Sequence, residues 1–156
     1  SIVVDKAAVN TVLPIVLDSL YEHGVVIKGC DKTVKAFPKA EMATESDFYA
    51  EYLDAIISCK VVKNYREAID HINKYSSHHS DVIISNDEEA ENAFMRFIDS
   101  AAVYHNASTA FTDGFEYGFG AEMGISTQKL HARGPMGLKE LTSYKYCIFG
   151  NGQTRK

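Results

Sequence analysis

Residues 55–105 read AIISCKVVKNYREAIDHINKYSSHHSDVIISNDEEAENAFMRFIDSAAVYH, and this stretch decides the fold. Three apolar runs rich in β-formers alternate in it with two segments whose apolar residues recur at helical spacing. Each of these two segments follows an Asn-x-x-Glu capping signal. The pattern predicts a β-α-β-α-β order, and short crossovers through helices imply parallel strands covered by those helices. The predicted strands are 55–62, 81–85 and 101–105, and the predicted helices are 65–75 and 87–98.

The residues before this stretch predict one more helix between two strands. Apolar residues recur at helical spacing over residues 7–23, and Asp5 is in position to cap that helix. Pro14 must kink the helix or open its second segment, because its ring removes a hydrogen-bond donor. Gly24 is a natural residue to end it. The flanking apolar runs 2–4 and 25–28 are predicted strands, and the segment 29–54 is predicted to be rich in loops.

The regular alternation ends after His105. Four glycines between residues 106 and 126 predict a long loop, and loops of this length inside a compact domain are usually functional or disordered. Interleaved aromatic residues argue against disorder. A short helix over 136–142 and a final strand from Tyr144 to Phe149 follow. We therefore divide the chain into 1–133, a catalytic-domain portion, and 134–156, a C-terminal helix and strand.

Composition is that of one ordinary globular domain and excludes several classes of protein. The chain has 156 residues, 46% of them hydrophobic, and a formal net charge of −5. No segment approaches the roughly 20 apolar residues of a membrane span, and the first residues lack the pattern of a signal peptide. No dense basic run with aromatic residues is present, so we expect neither a membrane nor a nucleic-acid partner.

The three cysteines, Cys30, Cys59 and Cys147, are predicted to be reduced thiols of a cytoplasmic protein. Their number is odd, and no pair has the spacing of a zinc site or of a CxxC motif. Cys59 and Cys147 each lie in an apolar run, which predicts small core residues. The histidines are adjacent or isolated, so the sequence predicts no metal site. No Cys or Ser is followed by a plausible base and orienting group.

Two polar loops are the best candidates for ligand contact. Asn106 to Thr109 directly follow a predicted parallel strand, and open α/β sheets bind ligands at that edge. The glycine-rich stretch 118–124 has one residue too many for a dinucleotide fingerprint. Its bare backbone amides could instead approach an anion.

Four stretches together resemble the gamma-glutamyl phosphate reductases, or glutamate-5-semialdehyde dehydrogenases, of the aldehyde dehydrogenase superfamily. They are SAAVYHNAST at 100–109, FTDG at 111–114, GFGAEMGIST at 118–127 and HARGPMGL at 131–138. The resemblance extends back through EYLD at 51–54 and AIDHIN at 68–73, and it covers essentially the whole chain as the C-terminal part of the family.

The resemblance implies a fold, a reaction and a cofactor. The fold would be α/β, with a three-layer, largely parallel open sheet of the aldehyde-dehydrogenase catalytic domain and a C-terminal oligomerisation strand. The family reduces gamma-glutamyl phosphate with NADPH to glutamate-5-semialdehyde in proline biosynthesis. A cysteine thiolate attacks the acyl phosphate, and hydride reduces the resulting thioester. That cysteine would lie upstream of Ser1, so no catalytic residue is assigned in this chain.

The resemblance also implies roles for six residues. Glu51 matches the superfamily glutamate that hydrogen-bonds the nicotinamide ribose. The substrate pocket would be shaped by Asn106, Ser108, Thr109, Gly120 and Ala121. The strand Tyr144 to Phe149 would pair across a subunit interface and form a homo-oligomer. Ala110 stands where the family usually has Arg, which implies the loss of a bidentate partner for an anion.

Two alternatives to a reductase remain open. The chain could be a non-catalytic α/β module that dimerises through its last strand, or a nucleotide-binding module of flavodoxin-like topology. Since the nucleophile and the cofactor domain would lie outside this sequence, we expect the isolated chain to be inactive.

Overall fold

The computed structural model describes residues 1–155, and these form two compact units, Ser1–Thr109 and the residues from Ala110 onward. The first unit contains all five α-helices of the described residues and six of their strands. Its strands are β1 (Ile2–Asp5), β2 (Val26–Gly29), β3 (Glu41–Met42), β4 (Ile56–Val62), β5 (Ser80–Ile83) and β6 (Ala102–His105). Its helices are α1 (Val12–Glu22), α2 (Asp31–Ala36), α3 (Glu45–Tyr49), α4 (Tyr65–Tyr75) and α5 (Glu88–Phe97).

Four strands of this unit form a parallel sheet in the order β1-β4-β2-β3. Strand β4 lies between β1 and β2, with Cys59 opposite Ile2 on one side and Gly29 on the other. The adjacent residues Ser58 and Cys59 are buried, as are Val61 and Val62, so β4 is covered on both faces, which explains its nearly continuous apolar sequence.

The remaining two strands, β5 and β6, pair in parallel as a separate sheet. The α/β class and the parallel strands of the predicted order are therefore confirmed. The predicted β-α-β-α-β order over 55–105 is found as β4-α4-β5-α5-β6, with β4 paired to β1 and β2, and β5 paired to β6.

The predicted helix over 7–23 is divided. A single 3-10 turn, Lys6–Ala8, is capped by Asp5, whose Oδ1 accepts from the amide of Ala7 at 2.8 Å. Helix α1 begins only at Val12, so Pro14 lies in its first turn, where no intrahelical donor is needed. Gly24 follows the helix with φ = 79°. Of the two roles considered for Pro14, opening a second segment is the one found.

Residues 29–54 are more regular than predicted. They contain α2, β3 and α3 instead of a loop-rich excursion. Helix α3 begins after Thr44, whose amide donates to Asp47 Oδ2 at 2.7 Å. The Thr44 hydroxyl also donates to Asp47 Oδ2, at 2.6 Å. The hydroxyl and amide hydrogen bonds from Thr44 lower the pKa of Asp47 below its ordinary value. A five-residue helix leaves little hydrophobic periodicity to detect, and Thr44-x-x-Asp47 was its remaining signal.

Two apolar clusters fill the first unit. One lies between α1 and the four-stranded sheet, and the other lies under α4 and α5. The first contains Leu13, Leu17, Ile27, Phe37, Ala40, Cys59 and Val61, and the second contains Ile69, Phe94 and Ile98. Leu13, Leu17 and Cys59 are completely inaccessible to solvent. The prediction that Cys59 is a core residue is confirmed.

Helix α4 coincides with its prediction and begins at a side-chain cap. Asn64 Oδ1 accepts from the amide of Glu67 at 3.1 Å, and Glu67 Oε2 accepts from the amide of Lys63 at 2.7 Å. The cap of α5 is Asp87 and not Asn86, because Asp87 Oδ1 accepts from the amides of Glu89 and Ala90.

We expect Asn64→Ala to lower the free energy of unfolding by about 1 kcal/mol, since it leaves a helix-end donor without its acceptor. Urea titration of the 156-residue chain measures this loss. Asn64→Asp keeps an acceptor oxygen at the cap and should stay within about 0.5 kcal/mol of the parent. Equal losses in the two variants would contradict a capping role.

The second unit contains an antiparallel pair, β7 (Gly124–Ser126) and β8 (Gly134–Met136). The predicted helix over 136–142 is wrong. Met136 ends β8, and only one 3-10 turn, Lys139–Leu141, follows. Residues 142–155 form no helix or strand. The predicted strand from Tyr144 to Phe149 is therefore absent from the described chain, and Cys147 is exposed, contrary to its predicted burial.

Candidate functional site

Glu51 lies on an exposed loop just before the amino end of β4. The neighbouring side chain anchors this loop to α3, because the hydroxyl of Tyr52 donates to Asp47 Oδ1 at 3.0 Å and to the Asp47 carbonyl at 3.1 Å. Burial and the Asp47 carboxylate raise the pKa of Tyr52 to about 12. The loop turns at Leu53, which has φ = 52°. Glu51 therefore presents its carboxylate from a loop that is held in place. The sequence did not predict that Tyr52 would anchor this loop to Asp47.

Asn106 lies directly after β6, as the sequence predicts, and its side chain closes the end of the β5–β6 pair. Its Oδ1 accepts from the amide of Ser85 at 3.0 Å, and its Nδ2 donates to the Ser85 carbonyl at 2.9 Å. The backbone amide of Asn106 donates to Ile83 at 2.9 Å. This geometry requires φ = 50° at Asn106, a conformation that Asn tolerates better than most residues. Both side-chain polar atoms of Asn106 are thus committed to the protein.

Ser108 and Thr109 follow the Asn106 clamp at the end of the first unit. Ser108 is exposed and Thr109 is half-buried. The clamp fixes the direction in which the chain leaves β6, and the two hydroxyl-bearing residues are presented immediately beyond it. The ring of His105 is held there too, with Nδ1 at 2.9 Å from Glu91 Oε1 and Nε2 at 2.9 Å from the Ser85 carbonyl. The structure therefore brings these polar residues together at the carboxyl end of β6.

Gly120 and Ala121 belong to the second unit, on a loop folded around Asp113 and Gly114. Asp113 Oδ1 accepts from the amide of Phe115 at 2.7 Å, and the Gly114 carbonyl accepts from the amide of Phe119 at 2.8 Å. Gly120 has φ = 74°, in the left-handed region that favours glycine. The loop predicted over 106–126 is therefore ordered by its own hydrogen bonds.

Gly114 is the point where this loop crosses itself. A Cβ atom at Gly114 would lie 2.3 Å from the carbonyl oxygen of Ala121. Its amide also donates to Glu122 Oε2 at 3.0 Å. The position of the Ala121 backbone thus depends on the absence of a side chain at residue 114.

The adjacent histidines His78 and His79 are engaged in hydrogen bonds with neighbouring groups. His78 Nδ1 lies 2.8 Å from the Asp99 carbonyl, and His79 Nδ1 lies 2.7 Å from Ser80 Oγ. Within residues 1–155, no three His, Cys, Asp or Glu side chains are grouped as metal ligands would be. No helix among these residues is long and apolar enough to cross a bilayer.

The final segment is exposed along its whole length. Tyr144, Tyr146 and Ile148 are each at least 80% exposed, and the rings of the two tyrosines lie 5.5 Å apart in an edge arrangement. The segment therefore presents large apolar side chains to solvent.

Comparisons with known proteins match the whole chain to one group of enzymes. The chain is 54% identical over 156 residues to a gamma-glutamyl phosphate reductase of Caldanaerobacter subterraneus subsp. tengcongensis, covering 100% of the chain and 38% of that relative. It is 57% identical over 155 residues to the one of Dictyoglomus thermophilum, covering 99% of the chain and 37% of the relative. No family model matches the chain.

A solved structure agrees with these matches. The crystal structure of gamma-glutamyl phosphate reductase from Thermotoga maritima superposes with a TM-score of 0.94 at 50% identity. The superposition covers 99% of this chain and 37% of that one. The chain thus spans between a third and two fifths of the length of the proteins it matches.

Proposed function

Because the chain belongs to the gamma-glutamyl phosphate reductase family, of whose members it spans 37–38%, we propose that it forms part of an NADPH-dependent reductase. The reaction converts gamma-glutamyl phosphate to glutamate-5-semialdehyde with release of phosphate, in proline biosynthesis. One observation carries the proposal: the similarity runs along the entire chain, at 54% identity.

Glu51 fits the role of a cofactor ligand. Its carboxylate is exposed on a loop that Tyr52 ties to Asp47, so it can accept hydrogen bonds from two hydroxyl groups of one ribose. When NADPH is bound, it supplies the hydride for reduction. The role of this chain is to orient the nicotinamide ribose through Glu51, which precedes the amino end of β4.

A substrate-binding role is proposed separately for one loop of each unit. In the first unit, Ser108 and Thr109 offer hydroxyl groups to the glutamyl end of the substrate. In the second unit, the amides of Gly120 and Ala121 offer hydrogen-bond donors. Asn106 acts through its neighbours, because both polar atoms of its side chain already bond Ser85. We therefore assign Asn106 a positioning role that aims the backbone of Ser108 and Thr109.

None of the three cysteines is proposed as the nucleophile. Cys59 is fully buried, Cys30 lies at the carboxyl end of β2, and Cys147 is exposed in the irregular final segment. None of them lies in a stretch that resembles the family's nucleophile segment. We propose that the isolated chain does not turn over substrate and that activity needs the parts of its relatives that it does not match.

The exposed final segment is proposed to pair with a second copy. An extended peptide adds to a sheet edge through main-chain hydrogen bonds, and alternate side chains supply specificity. Tyr144, Tyr146 and Ile148 have the spacing of such an alternate row once the segment is extended. We place the assembly in the cytoplasm, where free thiols stay reduced.

A chimera tests the proposed activity. The matching segment of the Thermotoga maritima enzyme is replaced by this chain, and NADPH formation is followed with glutamate-5-semialdehyde, phosphate and NADP⁺. We expect the chimera to be active and the 156-residue chain alone to give no rate above background. An inactive chimera that is folded and binds NADPH would contradict the proposal, as would turnover by the chain alone.

A further inference from the structure

Two thiols of the first unit share one hydroxyl group. Thr33 Oγ1 lies 3.4 Å from Cys30 Sγ and 3.6 Å from Cys59 Sγ, which places the sulfurs at most 7.0 Å apart. Neither thiol has a role in the proposed reaction. We propose that Cys30 and Cys59 form a redox-active dithiol, a modification site that hydroperoxides convert to an intramolecular disulfide.

The backbone already places the two residues at disulfide range. Cys59 is paired with Gly29 across the parallel ladder, and the amide of Cys30 donates to the Cys59 carbonyl at 3.0 Å. Strand spacing and rise then put the two Cα atoms about 6 Å apart, inside the roughly 4.4–6.8 Å that disulfides span. Formation of the bond requires the two Sγ atoms, now at most 7.0 Å apart, to approach to about 2 Å.

Gly29 and Thr33 make the arrangement compact. A Cβ atom at Gly29 would lie 2.6 Å from Thr33 Cγ2, so only glycine lets Thr33 rest against the strand. Thr33 is itself fully buried, and its hydroxyl also contacts the Cys59 carbonyl at 3.2 Å. A buried hydroxyl is therefore held between the two sulfurs.

The two thiols differ in access and in acidity, as an attacking and a resolving thiol must. Cys30 lines a cavity of about 570 Å³ together with Lys32 and Lys60, whereas Cys59 has no exposure. Burial alone would raise the pKa of Cys30, but a hydrogen bond with the Thr33 hydroxyl and one from the Val61 amide outweigh it and lower the pKa. Burial raises the pKa of Cys59 to about 11. The thiolate thus forms at the accessible sulfur.

The chemistry proceeds in two balanced steps. The Cys30 thiolate attacks one oxygen of the hydroperoxide, the O–O bond breaks, and the leaving oxygen takes a proton, so that Cys30 becomes a sulfenic acid. The Cys59 sulfur then attacks the Cys30 sulfur. The S–O bond breaks, the S–S bond forms, and the departing hydroxide leaves as water with the Cys59 proton. Two thiols lose two electrons in all, and the hydroperoxide gains them.

The dithiol uses no residue that is proposed for the reaction. Cys30 and the cavity lie at the carboxyl ends of β2 and β4, while Glu51 precedes the amino end of β4. Its oxidation would covalently link the end of β2 to β4 without consuming a residue proposed for catalysis.

The test uses the 156-residue chain with Cys147→Ser, which removes the exposed third thiol. The reduced protein is treated with hydrogen peroxide, alkylated with iodoacetamide and analysed by intact mass and peptide mapping. We expect the loss of two hydrogens, a peptide joining residues 30 and 59, and no alkylation until dithiothreitol is added. Oxidation in 8 M urea should be at least tenfold slower, because the thiols are then no longer held together.

Single variants separate the two thiols. In the Cys147→Ser background, Cys59→Ala should accumulate a sulfenic acid at Cys30 that dimedone traps, and Cys30→Ser should leave Cys59 unreacted. The proposal is overturned if oxidised Cys147→Ser retains two alkylatable thiols, if Cys30 passes directly to sulfinic acid, or if the rate is the same in urea.

Discussion

Leu17→Ala is expected to lower the free energy of unfolding of the 156-residue chain by about 2–5 kcal/mol. Leu17 has no solvent exposure and packs in the cluster between α1 and the four-stranded sheet. Truncation removes buried apolar surface and leaves a cavity that a parallel sheet cannot close by collapse. Since total stabilities are commonly about 5–15 kcal/mol, this single change removes a large fraction.

Ile15 is the matched control for Leu17, because it lies on the same helix and is 71% exposed. We expect Ile15→Ala to stay within about 0.5 kcal/mol of the parent. Leu17→Met conserves volume and should lower the free energy of unfolding by less than about 1.5 kcal/mol. If Leu17→Ala does not fold, Leu17→Met is compared with Ile15→Ala instead. Urea titration measures all three. Equal losses for Leu17→Ala and Ile15→Ala would contradict the assigned core.

Gly114→Ala is expected to have the largest effect on the candidate substrate loop. The added methyl group would lie 2.3 Å from the Ala121 carbonyl oxygen, and a backbone atom cannot rotate away as a side chain can. Overpacking of this kind costs about 1–3 kcal/mol. If this free energy is lost from substrate binding by residues 120 and 121, kcat/KM falls about 5- to 150-fold, because 1.4 kcal/mol corresponds to a factor of ten.

The control for Gly114 is Gly124→Ala. A methyl group there meets only the flexible end of Met136 at 3.4 Å, so activity should stay within about twofold. Both variants are made in the active chimera, and kcat and KM for glutamate-5-semialdehyde are compared with the unfolding midpoint. Unchanged kinetics in a stably folded Gly114→Ala chimera would show that the Ala121 amide does not contribute to the site.

The helices and strands of residues 55–105 followed from sequence because local signals agreed there. Asn64 and Glu67 cap α4, the apolar residues of α4 and α5 recur at helical spacing, and β4 is a continuous apolar run. Such signals depend on neighbours within one or two turns, so they are readable without the rest of the fold. The position of Asn106–Thr109 after a predicted parallel strand marked that loop as a candidate site. Glu51 came only from family resemblance, because an isolated glutamate carries no periodic signal.

Pairing between distant segments was decided only by the tertiary structure. The sequence predicts strands, but not that β4 joins β1 and β2 while β5 and β6 form their own pair. Short elements such as α3 and β3 were missed because two to five residues hold too little pattern.

What the sequence by itself determined is the α/β class, the main helices and the family, since these depend on local patterns and on direct residue matches. What only the tertiary structure decided is which side chains meet. It turned Asn106 into a clamp on Ser85, made Gly114 the support of Ala121, and placed Cys30 and Cys59 against one hydroxyl. Each of these contacts joins residues that are separated along the chain, and no local propensity encodes such a distance.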